Sequence, residues 1–195
     1  MCSFGWGSAH AYTRGTVTTP EASHPDRDVG STDYVAAGVM MAPTYLKWML
    51  IFEDPNTRTV MLGKATPRDW LAPGSTPIAV RNATTRYGRV AYDLRCATEV
   101  AISGQRGSDT SALTVRASVM LPHTYVGATG PPGGVKLRLR VPVEYAGKLR
   151  AVSVGGKPWS AFDAKSETVD FAQATLTPAV LRGMQAIVAE FAGAV

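Results

Sequence analysis

The stretch LRAVSVGGKPWSAFDAKSETVDF, residues 149–171, decides how this chain is read. An alternating apolar run, LRAVSV, ends in Gly155-Gly156. Lys157-Pro158-Trp159, a short polar loop and a second alternating run, ETVDF, follow. Alternation with period two puts successive side chains on opposite faces of a strand. Two consecutive glycines between such runs suit a type I′ hairpin turn, which needs positive φ at both central residues. Pro158 cannot donate to a strand ladder and is expected to end it. Trp159 beside the turn is expected to plug the end of a core.

The same grammar extends upstream. TVMLG (59–63), TPIAVRNA (76–83), GRVAYDLRC (88–96), SALTVRASVML (111–121) and GVKLRLRVPV (134–143) read as strands. Their inward sets are Val90, Tyr92, Leu94 and Cys96; Leu113, Val115, Ala117, Val119 and Leu121; and Val135, Leu137, Leu139 and Val141. SGQRGSDTS, TGPPGG and EYAGK separate these runs as turns. Repeated short strands with one wet face predict a mainly β protein, an antiparallel β-sandwich. TPRDWL (66–71) reads as one helical turn, with Thr66 as cap, Pro67 at the first position, and Trp70 and Leu71 turned inward.

Ahead of the strands, residues 1–33 form an irregular extension rich in Gly, Ser, Thr, Pro and Asp, with one strand expected at RGTVTTP (14–20). Residues 34–54 form a helical junction segment, capped by Ser31, Thr32 or Asp33 and kinked or split at Pro43. Residues 55–195 form the sandwich. In the tail TPAVLRGMQAIVAEFAGAV (177–195), periodicity favours a helix, yet AIVAEF also reads as a strand.

Composition bounds the function. The chain has 195 residues, 45% hydrophobic, with a net charge of +5, enough to bury a sizeable core. Its two cysteines, Cys2 and Cys96, make neither a disulfide framework nor a zinc pattern. The start lacks the marks of a signal peptide, and no apolar run approaches the ~20 residues of a membrane span. His10, His24 and His123 have no metal-ligand spacing, and there is no phosphate loop or nucleophile elbow. No pair among Glu53, Asp54, Asp69, Asp93, Glu99, Glu144, Asp163 and Glu167 can be placed across a cleft as glycoside hydrolysis requires. No catalytic residue, metal or cofactor is therefore assigned.

Two binding surfaces are nominated. Trp159, Trp70 and Tyr87 are the aromatic candidates for carbohydrate contact. Arg89, Arg95, Arg116, Lys136, Arg138 and Arg140 all fall on outward positions and make a candidate basic sheet face. Such a face suits an acidic protein surface or a polyanion. Arginines spread along the chain, rather than clustered, argue against nucleic acid.

LKWMLIFEDPNTRTVMLGKATPRDWLAPGSTPIAVRNATTRYGRVAYDL (46–94), with PPGGVKLRLRVPV (131–143) and the opening stretch, resembles the C-terminal region of large bacterial glycoside-hydrolase-like proteins. In those, an α/α-toroid precedes a β-rich domain. The shared elements are a helix running into a W-L-hydrophobic-E-D stretch, an LG-A-P-WL-G segment, and a closing V-V-(N/G)-G-K-PW hairpin. The resemblance spans about Arg14 to Phe171 and departs from the pattern at Gly155, where Asn is common. It implies a closing strand after a helical turn in the tail. It also implies catalytic carboxylates in the toroid, outside these residues, and so transfers none to this chain. The function expected is a non-catalytic accessory sandwich domain that braces an upstream toroid, or an equivalent subunit, and contacts oligo- or polysaccharide. The alternatives are a free-standing carbohydrate-binding module and a polyanion or nucleic-acid binder.

Overall fold

The computed structural model describes residues 43–97 and 112–193. The expected strand at 14–20, the cap and start of the 34–54 helix, and the turn at 103–111 lie outside them. The chain divides into two compact units, residues 1–48 and 49–195.

Residues 43–50 are helical, and the expected kink or split at Pro43 turns on residues outside the described ones. The helix does not run on to residue 53. Ile51–Glu53 is a strand, β1, which folds back through an Asp54 turn onto β2, Val60–Leu62. The apolar stripe that suggested a longer helix serves a strand equally well, and pairing with β2 decides for the strand. The Asp54 carboxylate accepts the Asn56 backbone N–H at 2.9 Å, which helps hold its pKa below the usual carboxylate range.

Residues 49–195 form a sandwich of two sheets. The five-stranded sheet has the order β1-β2-β6-β10-β9, adding β6 (Val135–Arg138), β9 (Phe162–Asp163) and β10 (Thr168–Phe171). The six-stranded sheet has the order β3-β4-β5-β11-β7-β8. Its members are β3 (Ile78–Thr85), β4 (Gly88–Ala97), β5 (Leu113–Met120), β7 (Leu149–Val154), β8 (Lys157–Pro158) and β11 (Ile187–Phe191). Pairings are antiparallel apart from β2 with β6. Alternate residues from both sheets, among them Val90, Tyr92, Leu94, Val115, Leu137 and Phe171, merge in one core. The period-two reading of these strands therefore holds.

The turn at 155–156 is a hairpin turn, with φ of 58° at Gly155 and 75° at Gly156. Its partner strand is only β8, pairing Val154 with Lys157. The two long alternating runs that flank the turn in sequence belong to different sheets: β7 lies in the six-stranded sheet and β10 in the other. Trp159 bridges them, its backbone N–H donating to Val152 and its indole N–H to the Asp170 carbonyl at 3.1 Å. Its ring lies 5.2 Å from Phe171, so it closes the core as expected.

The tail resolves into both of its readings. Thr177 caps a short helix, α2 (Pro178–Gly183; the helix at 43–50 being α1), by accepting the Val180 N–H. Residues 187–191 are then a strand, against the helical periodicity, because β11 fills the slot between β5 and β7. Near residue 66 the expectation fails differently. Arg68–Leu71 is a 3₁₀ turn, Thr66 makes no cap, and its buried hydroxyl has no partner among the described residues. Leu71 is buried, but Trp70 stays 40% exposed.

Two outcomes are expected. At Gly156 an added Cβ meets open space, so Gly156→Ala should cost only the left-handed backbone strain, roughly 1–2 kcal/mol. At Gly155 the Cβ would lie 2.9 Å from Gly183 Cα, and Gly155→Ala should cost roughly 2–4 kcal/mol in chemical denaturation. Second, burial raises the Tyr125 phenol to about 12 and raises Tyr92 further. Below pH 10, the ordinary tyrosine value, this preference is fully present; as pH rises toward 12 the unfolded chain ionises first and stability falls. The unfolding free energy should drop by up to about 1.4 kcal/mol per pH unit for each buried phenol, and Tyr125→Phe should flatten that slope.

Candidate functional site

The outward face of the six-stranded sheet carries a groove of about 530 Å³, running from β3 across β4 and β5 to the loop before β11. Strand alternation sends Leu94, Val115 and Ala117 to the core and leaves Asp93, Arg95, Arg116 and Ser118 on the outside. Register then aligns Asp93 with Ser118 and Arg95 with Arg116. A bulge between Val80 and Ala83 interrupts β3, and Arg81, within it, pairs with Asp93 at 2.7 Å. This pair is exposed and contributes little to stability. Hydrogen bonding to Asp93 raises the Arg81 pKa. Arg95 and Arg116, directly opposite and of like charge, repel each other. Gln185 closes the groove from the turn after α2.

Of the six nominated cations, Arg89, Arg95 and Arg116 are exposed on the six-stranded sheet. Lys136 and Arg138 lie on β6 of the five-stranded sheet, with Arg140 just beyond it, all half-buried. They do not share one sheet. Lys136 pairs with Asp170 at 3.0 Å, and Arg138 donates to the Lys64 carbonyl at 3.2 Å.

Around Arg140 the structure builds a charged network instead. Glu167, 1% exposed and at φ 56°, receives one nitrogen of Arg68 on both carboxylate oxygens, at 2.9 and 3.0 Å. It also accepts the Gly147 N–H at 3.1 Å, while the same Arg68 nitrogen reaches the Val141 carbonyl at 2.5 Å. Burial, with Arg68 and Arg138 nearby, lowers the Arg140 pKa. The geometry ties the 3₁₀ turn at 68–71 to the segment after β6 and to the β9–β10 turn. With its oxygens committed to a guanidinium and a backbone amide, Glu167 is a structural anchor.

The aromatic candidates do not make a platform. Trp159 is a core plug, Tyr87 packs edge-on against Tyr125 at 5.9 Å, and Trp70 stands alone on its turn. No ring contact joins any two of them. Among the described residues no group of His, Cys, Asp and Glu is placed to hold a metal. No helix among them is long and apolar enough to cross a membrane. Compared with protein-family models, with curated proteins and with solved structures, the chain matches none.

Sequence reasoning found Arg95 and Arg116 but missed Arg81, Asp93 and Gln185 as their neighbours. Outward alternation in β3 and β4 would have nominated Arg81 and Asp93; Gln185 had no signal. The Arg68–Glu167 pair, 99 positions apart, had none either.

Removing Arg68 leaves a buried carboxylate without its cation. Arg68→Met should therefore cost about 3 kcal/mol, less than the upper range for buried pairs because the Arg68 side chain keeps 24% exposure. Glu167→Gln, which keeps an acceptor for both donors, should cost less. Urea denaturation of the two variants checks the order.

Proposed function

We propose that this chain is a non-catalytic accessory β-sandwich domain of a glycoside-hydrolase-like protein, bracing an upstream helical toroid. The observation that carries the reading is the helix at 43–50. Tyr45, Leu46 and Trp48 on it are 50%, 48% and 46% exposed, and the Tyr45 and Trp48 rings stack edge-on at 5.8 Å. Adjacent large apolar side chains left to water mark a surface that meets a partner. The resemblance of residues 46–94 and 131–171 supplies the kind of partner, an α/α-toroid. The commitment of Glu167 to Arg68 and of Asp93 to Arg81 agrees with a bracing role, since neither carboxylate faces the other as a hydrolytic pair would.

A free-standing carbohydrate-binding module fits less well, because Trp159 is spent in the core and Trp70 and Tyr87 are apart from it in ring contacts. The test begins at the locus. An upstream reading frame that encodes a helical toroid is expected, and that segment, expressed separately, should bind this chain. Trp48→Ser should weaken the complex by about tenfold or more, as loss of a buried aromatic anchor does, without lowering the melting temperature of the sandwich. An upstream frame with no helical domain would overturn the proposal.

A further inference from the structure

The groove over the six-stranded sheet is independent of that reading, since it stands on its own geometry. We infer that it binds an extended, acidic polypeptide segment of a partner protein, whose carboxylates are taken by Arg95 and Arg116.

Arg95 and Arg116 are cross-strand partners, both exposed, and neither side chain has an ion pair or hydrogen bond among the described residues. Like charges set directly opposite destabilise a sheet, and a ligand carboxylate between them reverses the sign of that interaction. Guanidinium takes carboxylate in a two-pronged, charge-assisted contact. Cross-strand partners lie about 5 Å apart, and alternate side chains of an extended peptide about 6.8 Å apart, so acidic residues at positions i and i+2 reach one guanidinium each. From β3 to β11 the groove crosses four strands, roughly 14 Å, the length of about four extended residues.

The rest of the lining selects among anions. Among the described residues no aromatic side chain lines the groove, so these offer no stacking surface for bases or sugar rings. Ser118 and the second carboxylate oxygen of Asp93, whose first oxygen takes Arg81, stand side by side across β4 and β5 and add acceptors next to the arginines. A peptide backbone brings N–H donors to meet them, whereas a phosphodiester backbone brings none. Pro77, Ala79 and Val188 give an apolar floor for the small side chains between the acidic ones.

Fluorescence anisotropy on the full chain tests this. The probe is a fluorescein-labelled peptide of about eight residues alternating Glu and Ala, with an oligothymidylate and a polygalacturonate of similar charge as competitors. Binding is expected at low salt and should weaken as salt rises. Arg95→Gln/Arg116→Gln should lose at least about tenfold in affinity while keeping or raising the melting temperature, because it removes a repulsive pair. Lys157→Gln/Lys165→Gln changes net charge equally, away from the groove, and should bind as the parent does. Absence of peptide binding at low salt, an equal loss in the lysine variant, or tighter binding of the oligothymidylate or the polygalacturonate would overturn the inference. The single variant Arg116→Gln repeats the measurement with half the charge change.

Discussion

The six-stranded sheet depends on one strand, β11, that arrives last in the chain. It pairs with β5 on one side and β7 on the other, so without it the sheet falls into two unconnected halves, each with an open edge of unpaired backbone groups. Ile187, Ala189 and Phe191 point from it into the core. Its approach is fixed by short-range devices. Thr177 caps α2, the Met184 carbonyl accepts Val119 N–H, and the Ala186 carbonyl accepts Gly155 N–H. The last of these binds the 155–156 turn to the tail, and the close approach of Gly155 to Gly183 follows from it. A hairpin turn that looks local is thereby one wall of the slot for the closing strand.

The five-stranded sheet is held by different means. Its strands are short, and β9 has only two residues. Connections outside the ladders carry more of the burden. Arg68 and Glu167 link a turn before the six-stranded sheet to the β9–β10 turn, and Trp159 links β7 to β10 through its backbone N–H to Val152 and its indole N–H to Asp170. A buried ion pair of this kind is weak evidence of net stabilisation, but it fixes which segments meet. Both linkers use a side chain reaching a backbone carbonyl of a distant segment, Arg68 to Val141 and Trp159 to Asp170.

The two surfaces on which function is argued differ in origin. The groove is a product of alternation and register: once β4 and β5 pair as they do, Arg95 must face Arg116. The exposed face of the helix at 43–50 arises from composition, since Tyr45, Leu46 and Trp48 are too close together for all to share a buried stripe with Leu50. Neither needs a catalytic group, and the acidic residues with described partners near them are committed to arginines.

Period-two alternation in β4, β5 and β6 by itself determined the inward set from Val90 to Val141, and with LRAVSV it pointed to a β-sandwich, because a strand with one buried face admits only one assignment of sides. Gly155-Gly156 likewise determined its turn through its φ requirement. Three matters only the tertiary structure decided. Residues 51–53 and 187–191 became strands because partners were waiting, where local periodicity also allowed a helix. The six outward cations were divided between two sheets because alternation tells inside from outside but not which layer a strand joins. Glu167 was tied to Arg68 because contacts between distant segments leave no mark in local pattern. Side-chain direction is a local property of the backbone; adjacency is a property of how the strands are ordered, and strand order is set by the whole chain.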